Sequence, residues 1–180
     1  MSKNADILQK GFARYYERIV QTLTDSLVEA AYELLVKAES NKEYHNLTGN
    51  TLTSYMVGIY VSGRLSKIVT MYDAADIERP KRGKLYRGSG KGVVYVEDYD
   101  SGRLVHVRKS NLIDTDKDYG ENTSRRFLQS YKANKNHIGL VMCTGTEYSE
   151  FLEHVKRLDV LTNTFYEAER IINGKWKKIE

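Results

Sequence analysis

Apolar residues fall at Leu8, Phe12, Tyr15, Ile19, Leu23, Leu27, Ala30, Leu34 and Ala38, in steps of three or four. That is the period of one face of an α-helix. No glycine or proline interrupts the run after Gly11, so the spacing predicts one helix from about Ala5 to Ala38. At about 1.5 Å per residue it reaches roughly 50 Å, longer than a small domain needs. Either its far end packs on a neighbouring subunit or the helix lies across one sheet. The polar stretch Glu39 to Asn46 breaks the pattern. In the segment that follows, Leu47 to Tyr55, Thr48 or Asn50 can cap a short helical turn. Met56 to Val61 reads as a strand, Ser62-Gly63-Arg64 as a turn, and Leu65 to Tyr72 as the partner strand.

The middle, Asp73 to Asn136, reads as an insertion. Glu78 to Lys84 is a loop. Gly92 to Glu97 and Arg103 to Arg108 are strands joined by Asp98-Tyr99-Asp100-Ser101-Gly102, which is hairpin turn chemistry. Asn111 to Ser124 is polar and carries no period. Ser124 to Lys132 is a short helix with Phe127, Leu128 and Tyr131 as its apolar members. In the last third, Ile138 to Cys143 is a buried-strand candidate and Gly145-Thr146 breaks it. Thr146 can cap a helix from Glu147 to Val155. A second helix runs from Val160 to Ile172, with Leu161, Phe165, Ala168 and Ile172 on one face and Asn173-Gly174 at its end. Helices framing two groups of strands make the class α+β. There is no internal repeat, and 180 residues with 41% hydrophobic content suit a single domain with an insertion at 73–136.

Cysteine usage narrows the setting. The lone Cys143 has no disulfide partner within the chain and no CxxC pair exists, so a reducing compartment such as a bacterial cytoplasm is expected. Met1 to Lys10 lacks the apolar stretch of a secretory signal, and no run of about 18 apolar residues spans a membrane. The net charge of +4 is modest for a dedicated nucleic-acid binder. Its distribution says more. Arg79, Lys81, Arg82, Lys84, Arg87 and Lys91 stand within one stretch that has no acidic residue, while Glu147 to Glu169 leans acidic.

Catalytic patterns are weak throughout. Arg87-Gly88-Ser89-Gly90-Lys91-Gly92 comes nearest to a phosphate-binding loop. It has Leu85 in place of the first glycine, Gly92 in place of Ser or Thr, and a strand after it instead of a helix. None of the histidines has metal-ligand spacing, and Glu150 with His154 is an ordinary pair one helical turn apart. Cys143 lies in an apolar strand, where a thiol is usually inert packing. Glu147, Glu150 and Glu153 share a helix, which cannot present carboxylates across a cleft; a solvated acidic face is the plainer reading. No catalytic residue, metal ligand or cofactor site is assigned. The 14 tyrosines suit either protein interfaces or ordinary core use. The basic stretch from Arg79 to Lys91 can meet nucleic-acid phosphates, an acidic protein surface, or only water.

Two segments resemble the tail-completion, or head–tail joining, proteins of tailed bacteriophages. After their long N-terminal helix those proteins carry a TG-x-L-x-x-S turn leading into a strand. Here it reads Thr48-Gly49-Asn50-Thr51-Leu52-Thr53-Ser54, with one residue inserted before the leucine. Near their C-terminus they carry a strand, a glycine and a Y-A-x-x-x-E helix start. Here it reads Gly145-Thr146-Glu147-Tyr148-Ser149-Glu150-Phe151-Leu152-Glu153, with serine for alanine, and a last helix follows. The resemblance covers about 110 residues and leaves 73–136 without a counterpart. It implies a long helix packed on a mainly antiparallel sheet and no enzymatic activity. It also implies a homo-oligomeric ring, six-fold or twelve-fold, below the portal in the neck of the virion. Portal protein and adjacent neck or tail rings would be the partners, and packaged double-stranded DNA would pass through the channel. Thr48, Gly49, Tyr148, Glu150 and Glu153 are the expected subunit-interface residues. The alternative function is a nucleic-acid-binding accessory protein using 79–108.

Overall fold

The computed structural model describes residues 3–44, 50–71, 86–87, 93–97, 103–108, 119–146 and 148–176. The chain is α+β. A long helix α1 (Lys3–Asn41) precedes a short helix α2 (Asn50–Ser54), and a hairpin of β1 (Met56–Val61) and β2 (Arg64–Thr70) follows. Short strands β3 (Tyr86–Arg87), β4 (Val93–Glu97) and β5 (Leu104–Arg108) come next. Then come α3 (Tyr119–Ser130), β6 (Ile138–Cys143), α4 (Tyr148–His154) and α5 (Thr162–Gly174).

The strands form two antiparallel sheets, ordered β2–β1–β6 and β3–β4–β5. In the first, β1 is central and buried along almost its whole length. Its hairpin with β2 turns on Ser62 and Gly63, both with positive φ (50° and 79°). Two such residues make a turn whose twist matches that of the paired strands. A register shift at Ile59/Tyr60 bulges the hairpin, whereas β6 pairs along β1 without a break. The sequence pattern marks β6 as buried. Its six residues are only half-buried, because β6 stands at an edge of the sheet with β1 as its paired neighbour. The predicted hairpin of the insertion is present as β4 and β5, paired from Val93↔Arg108 to Glu97↔Leu104; its connecting residues 98–102 lie outside the described residues.

The main core lies between α1 and the first sheet. Leu27, Ala31, Leu35 and Ala38 on α1 meet Val57, Ile59 and Val69. A neighbouring group, Ala30, Leu34 and Ile171, brings α5 alongside α1. Each large aliphatic side chain buried here contributes about 1.5–3 kcal/mol. Ion pairs Lys37–Glu167 (3.0 Å) and Lys175–Glu33 (2.7 Å) fix α5 antiparallel to α1. They are solvent-exposed and act on register more than on stability.

Two helices depart from the sequence pattern. On α5 Thr164 and Ile171 are buried, and of the expected face Leu161, Ala168 and Ile172 pack against the core while Phe165 is 76% exposed. Helix α3 starts at Tyr119, inside the stretch that shows no period, and only Leu128 of its three expected apolar members is fully buried. It packs on α2 and β1, so the segment read as an insertion rejoins the core before it ends.

Candidate functional site

The two segments that carry the family resemblance meet in space. Helix α2 and the turn from β6 into α4 close on the first turns of α3, and the join is made of small residues. Gly120 packs against the Asn50 carbonyl and Ser54; a methyl group there would run into the Asn50 carbonyl oxygen and lie 2.9 Å from Ser54 Cβ. Gly145 packs on the other side of the same helix turn. A methyl group there would run into the Gly120 carbonyl oxygen and lie 2.5 Å from the Ser124 nitrogen. Both neighbours are backbone, so neither can move aside. Glycine at these two positions is a packing requirement.

Hydroxyls knit the seam. Ser124 Oγ donates to the Ser54 carbonyl (2.6 Å). Ser54 Oγ and Thr144 Oγ1 share a hydrogen bond (2.6 Å), and Thr144 Oγ1 lies 3.3 Å from Ser149 Oγ. Ser149 Oγ also bonds the Thr146 hydroxyl, and its backbone N–H donates to the Thr146 carbonyl at 3.0 Å. Thr146, expected to cap this helix, meets Ser149 through its hydroxyl and its backbone carbonyl instead of through a side-chain bond to a backbone N–H. Ser149 gives α4 a hydroxyl anchor. Buried hydroxyls satisfied in this way fix one geometry, since each unpaired one would be costly.

The seam has little chemical reactivity. Cys143 Sγ lies 3.9 Å from the Ser124 carbonyl. Burial pushes its thiol up to about 11, against a smaller opposing effect of that contact, so it stays protonated at neutral pH. Among the described residues no group of three or more His, Cys, Asp or Glu is placed to hold a metal ion, and no helix is long and apolar enough to cross a membrane.

A second polar cluster starts α5. Glu153 Oε1 accepts from the N–H groups of Val160 (3.2 Å), Leu161 (2.6 Å) and Thr162 (2.9 Å), and from the Thr162 hydroxyl (3.1 Å). Asp159 Oδ1 accepts from the Asn163 N–H (3.0 Å). Burial alone would raise the Glu153 pKa. The N–H donors, led by Leu161, outweigh it and hold the carboxyl below the usual carboxylate range. Glu153 therefore satisfies the open N–H groups of a helix start. Behind it Tyr44 and Tyr55 share a buried hydrogen bond (2.7 Å), and Tyr55 donates to the Val160 carbonyl (3.2 Å). Burial, then Tyr44, raise the Tyr55 pKa far above its usual value, so it remains a neutral donor.

The expected site residues fall into three groups. Glu150 is exposed on α4, while Glu153 is turned inward onto α5. Tyr148 opens α4, and Arg87 pairs with Val94 in the second sheet; only the backbone is described at both. Thr48, Gly49, Arg79, Lys81, Arg82, Lys84 and Lys91 lie outside the described residues. Sequence reasoning passed over Gly120, Ser124 and Asp159. The spacing of Gly120, Ser124 and Leu128, one turn apart, was the available signal for the first two. No protein-family model, no curated protein and no solved structure matches the chain.

Proposed function

We propose that this chain is a structural, non-enzymatic virion protein of a tailed bacteriophage. It forms a ring in the neck between portal and tail and is made in the host cytoplasm. The observation that carries the reading is the seam. The two segments that resemble tail-completion proteins lie far apart in the chain, yet Asn50 and Ser54 of the first and Gly145 of the second pack on the same turn of α3, and Ser54 bonds Thr144, the residue before Gly145. Their shared residue types thereby acquire one physical task, holding α4 and its exposed Glu150 at a fixed angle to the sheet. A protein that builds a ring needs rigid presentation of that kind, because small angular errors accumulate around a closed assembly. The exposed Glu150 of α4 and the basic stretch from Arg79 to Lys91 would pair between neighbours or, for the basic stretch, face packaged DNA.

Electron microscopy of lysates from a phage with this gene disrupted tests the reading. DNA-filled or leaking heads without tails are expected. Normal, infectious, tailed particles would remove it. A second reading, a nucleic-acid-binding accessory protein, rests on the six basic residues between Arg79 and Lys91. It requires DNA binding that weakens steeply with salt. Failure to shift DNA at low salt excludes it.

A further inference from the structure

The first sheet ends on two different edges. On β2, Arg64, Ser66 and Lys67 are exposed, and charge of that kind discourages further strand pairing. Strand β6, Ile138-Gly139-Leu140-Val141-Met142-Cys143, carries no charge and no proline. Both of its faces are in use. Ile138, Leu140 and Met142 pack on the α1 core, and Cys143 turns the other way, to Ser124 of α3. The edge between those faces is open. The Ser62 N–H donates to the His137 carbonyl (3.2 Å), which continues the β1–β6 register by one hydrogen-bonded pair. Such pairs alternate along an antiparallel ladder, so Gly139, Val141 and Cys143 bond β1. The N–H and C=O groups of Ile138, Leu140 and Met142 therefore point away from it. Among the described residues these groups have no hydrogen-bond partner, and no further strand lies beside β6.

We propose that β6 pairs antiparallel with β6 of a second copy of this chain, which joins two sheets into one across a two-fold axis at Leu140. An edge of open main-chain groups takes an extended strand, and three features select this one. The first is register. A single antiparallel pairing of β6 with itself uses all three open residues. It sets Ile138 opposite Met142 of the second copy, Leu140 opposite Leu140 and Met142 opposite Ile138, and every open N–H then meets a carbonyl. The second is side-chain fit. On the α1 side the Ile138–Met142 and Leu140–Leu140 pairs extend the row that already packs on the core. On the α3 side Val141 of the second copy falls opposite Gly139, where a Cβ would meet nothing within 4 Å. The third is charge. Self-pairing of β6 opposes no charged residues, whereas self-pairing of β2 would bring Arg64 and Lys67 of both copies to one seam.

A two-fold pair closes with two copies and makes no ring by itself. The inference therefore concerns the free protein and stands apart from the neck reading. Sedimentation velocity of the full chain between about 1 and 100 µM is expected to show a concentration-dependent dimer. Hydrogen exchange resolved by residue then identifies the surface. The Leu140 and Met142 amides should exchange more slowly where the protein is dimeric than where it is monomeric, while Gly139 and Val141 stay protected in both. Ile138→Pro removes an open N–H at the start of the strand, a place where an edge strand accepts proline. It should weaken the dimer by about tenfold or more, since the lost bond occurs twice by symmetry. Ile138→Ala removes the same side chain and keeps the N–H, so it should still dimerise, which separates pairing from folding. A wild-type monomer at every concentration overturns the proposal and leaves the edge to a strand of another protein. So does a dimer whose Leu140 and Met142 amides exchange at one rate throughout, or an Ile138→Pro variant that dimerises like wild type.

Discussion

On its α1 side the β2–β1–β6 sheet is covered by Leu27, Ala31, Leu35 and Ala38, large and small aliphatic groups with no polar atom beyond the backbone. On its α3 side Leu128 reaches Gly58 of β1, but the first turns of α3 are held by Gly120, Ser124, Ser54, Thr144 and Gly145, through hydroxyls and bare backbone. The two regions tolerate error differently. Aliphatic packing can lose a methylene and relax around the gap, and its cost grows with the volume lost. Backbone-to-backbone contact has nothing to relax, and a single added carbon must separate whole elements. If this contrast is sound, adding one side chain on the α3 side costs more than deleting one on the α1 side.

Gly145→Val is the sharpest way to break the comparison. Its side chain would meet the Gly120 carbonyl and Ser124 backbone from the first carbon outward. A loss above about 4 kcal/mol is expected, enough to unfold many domains of this size. Urea denaturation followed by circular dichroism measures it, and a cost below about 1 kcal/mol would mean the seam is loose. Leu35→Ala removes a fully buried side chain from the opposite face. It is expected to cost about 3 kcal/mol, with the chain still folded.

The contrast also explains how much of the fold was legible in the sequence. Strands β1 and β6 stand where the pattern puts them, Met56–Val61 and Ile138–Cys143, and α1 extends only a few residues beyond its expected ends. These elements bury aliphatic residues, and periodicity registers aliphatic residues. The start of α3 escaped because its buried face is Gly120 and Ser124, which a hydropathy pattern reads as loop. On α5, Phe165 drew the predicted face toward itself although Thr164 is the buried neighbour. The seam was legible only as two family-like segments; nothing in either announces that they touch. The edge position of β6 was likewise invisible, since strand order is set by contacts between distant residues and not by composition.

A third test concerns the start of α5, where one carboxylate replaces many small contacts. Glu153→Ala leaves three N–H groups without their acceptor and is expected to cost about 2 kcal/mol at pH 7. The sign with pH follows from the lowered folded-state pKa. The contribution is complete above the unfolded value of about 4.3 and is lost as pH falls through the folded value. The stability gap between wild type and Glu153→Ala should therefore narrow below about pH 4. A gap independent of pH from 7 to 3 would mean the carboxylate charge is not what holds the helix start.

The smallest effect tests the exchange of Thr164 for Phe165 on the buried face of α5. Thr164 is fully buried, and its hydroxyl has no hydrogen-bond partner among the described residues. Replacing it with valine keeps the shape and removes a polar group buried without compensation. Thr164→Val should accordingly stabilise the protein by about 1 kcal/mol, an uncommon direction for a core substitution. The adjacent Phe165→Ser, at a ring that faces water, should change stability by less than about 0.5 kcal/mol. If instead Phe165→Ser were costly and Thr164→Val neutral, the helix would be turned toward the face that hydropathy favours. The ion pairs of Glu167 with Lys37 and of Lys175 with Glu33 make that rotation hard to accommodate, because both hold α5 by positions fixed relative to Thr164.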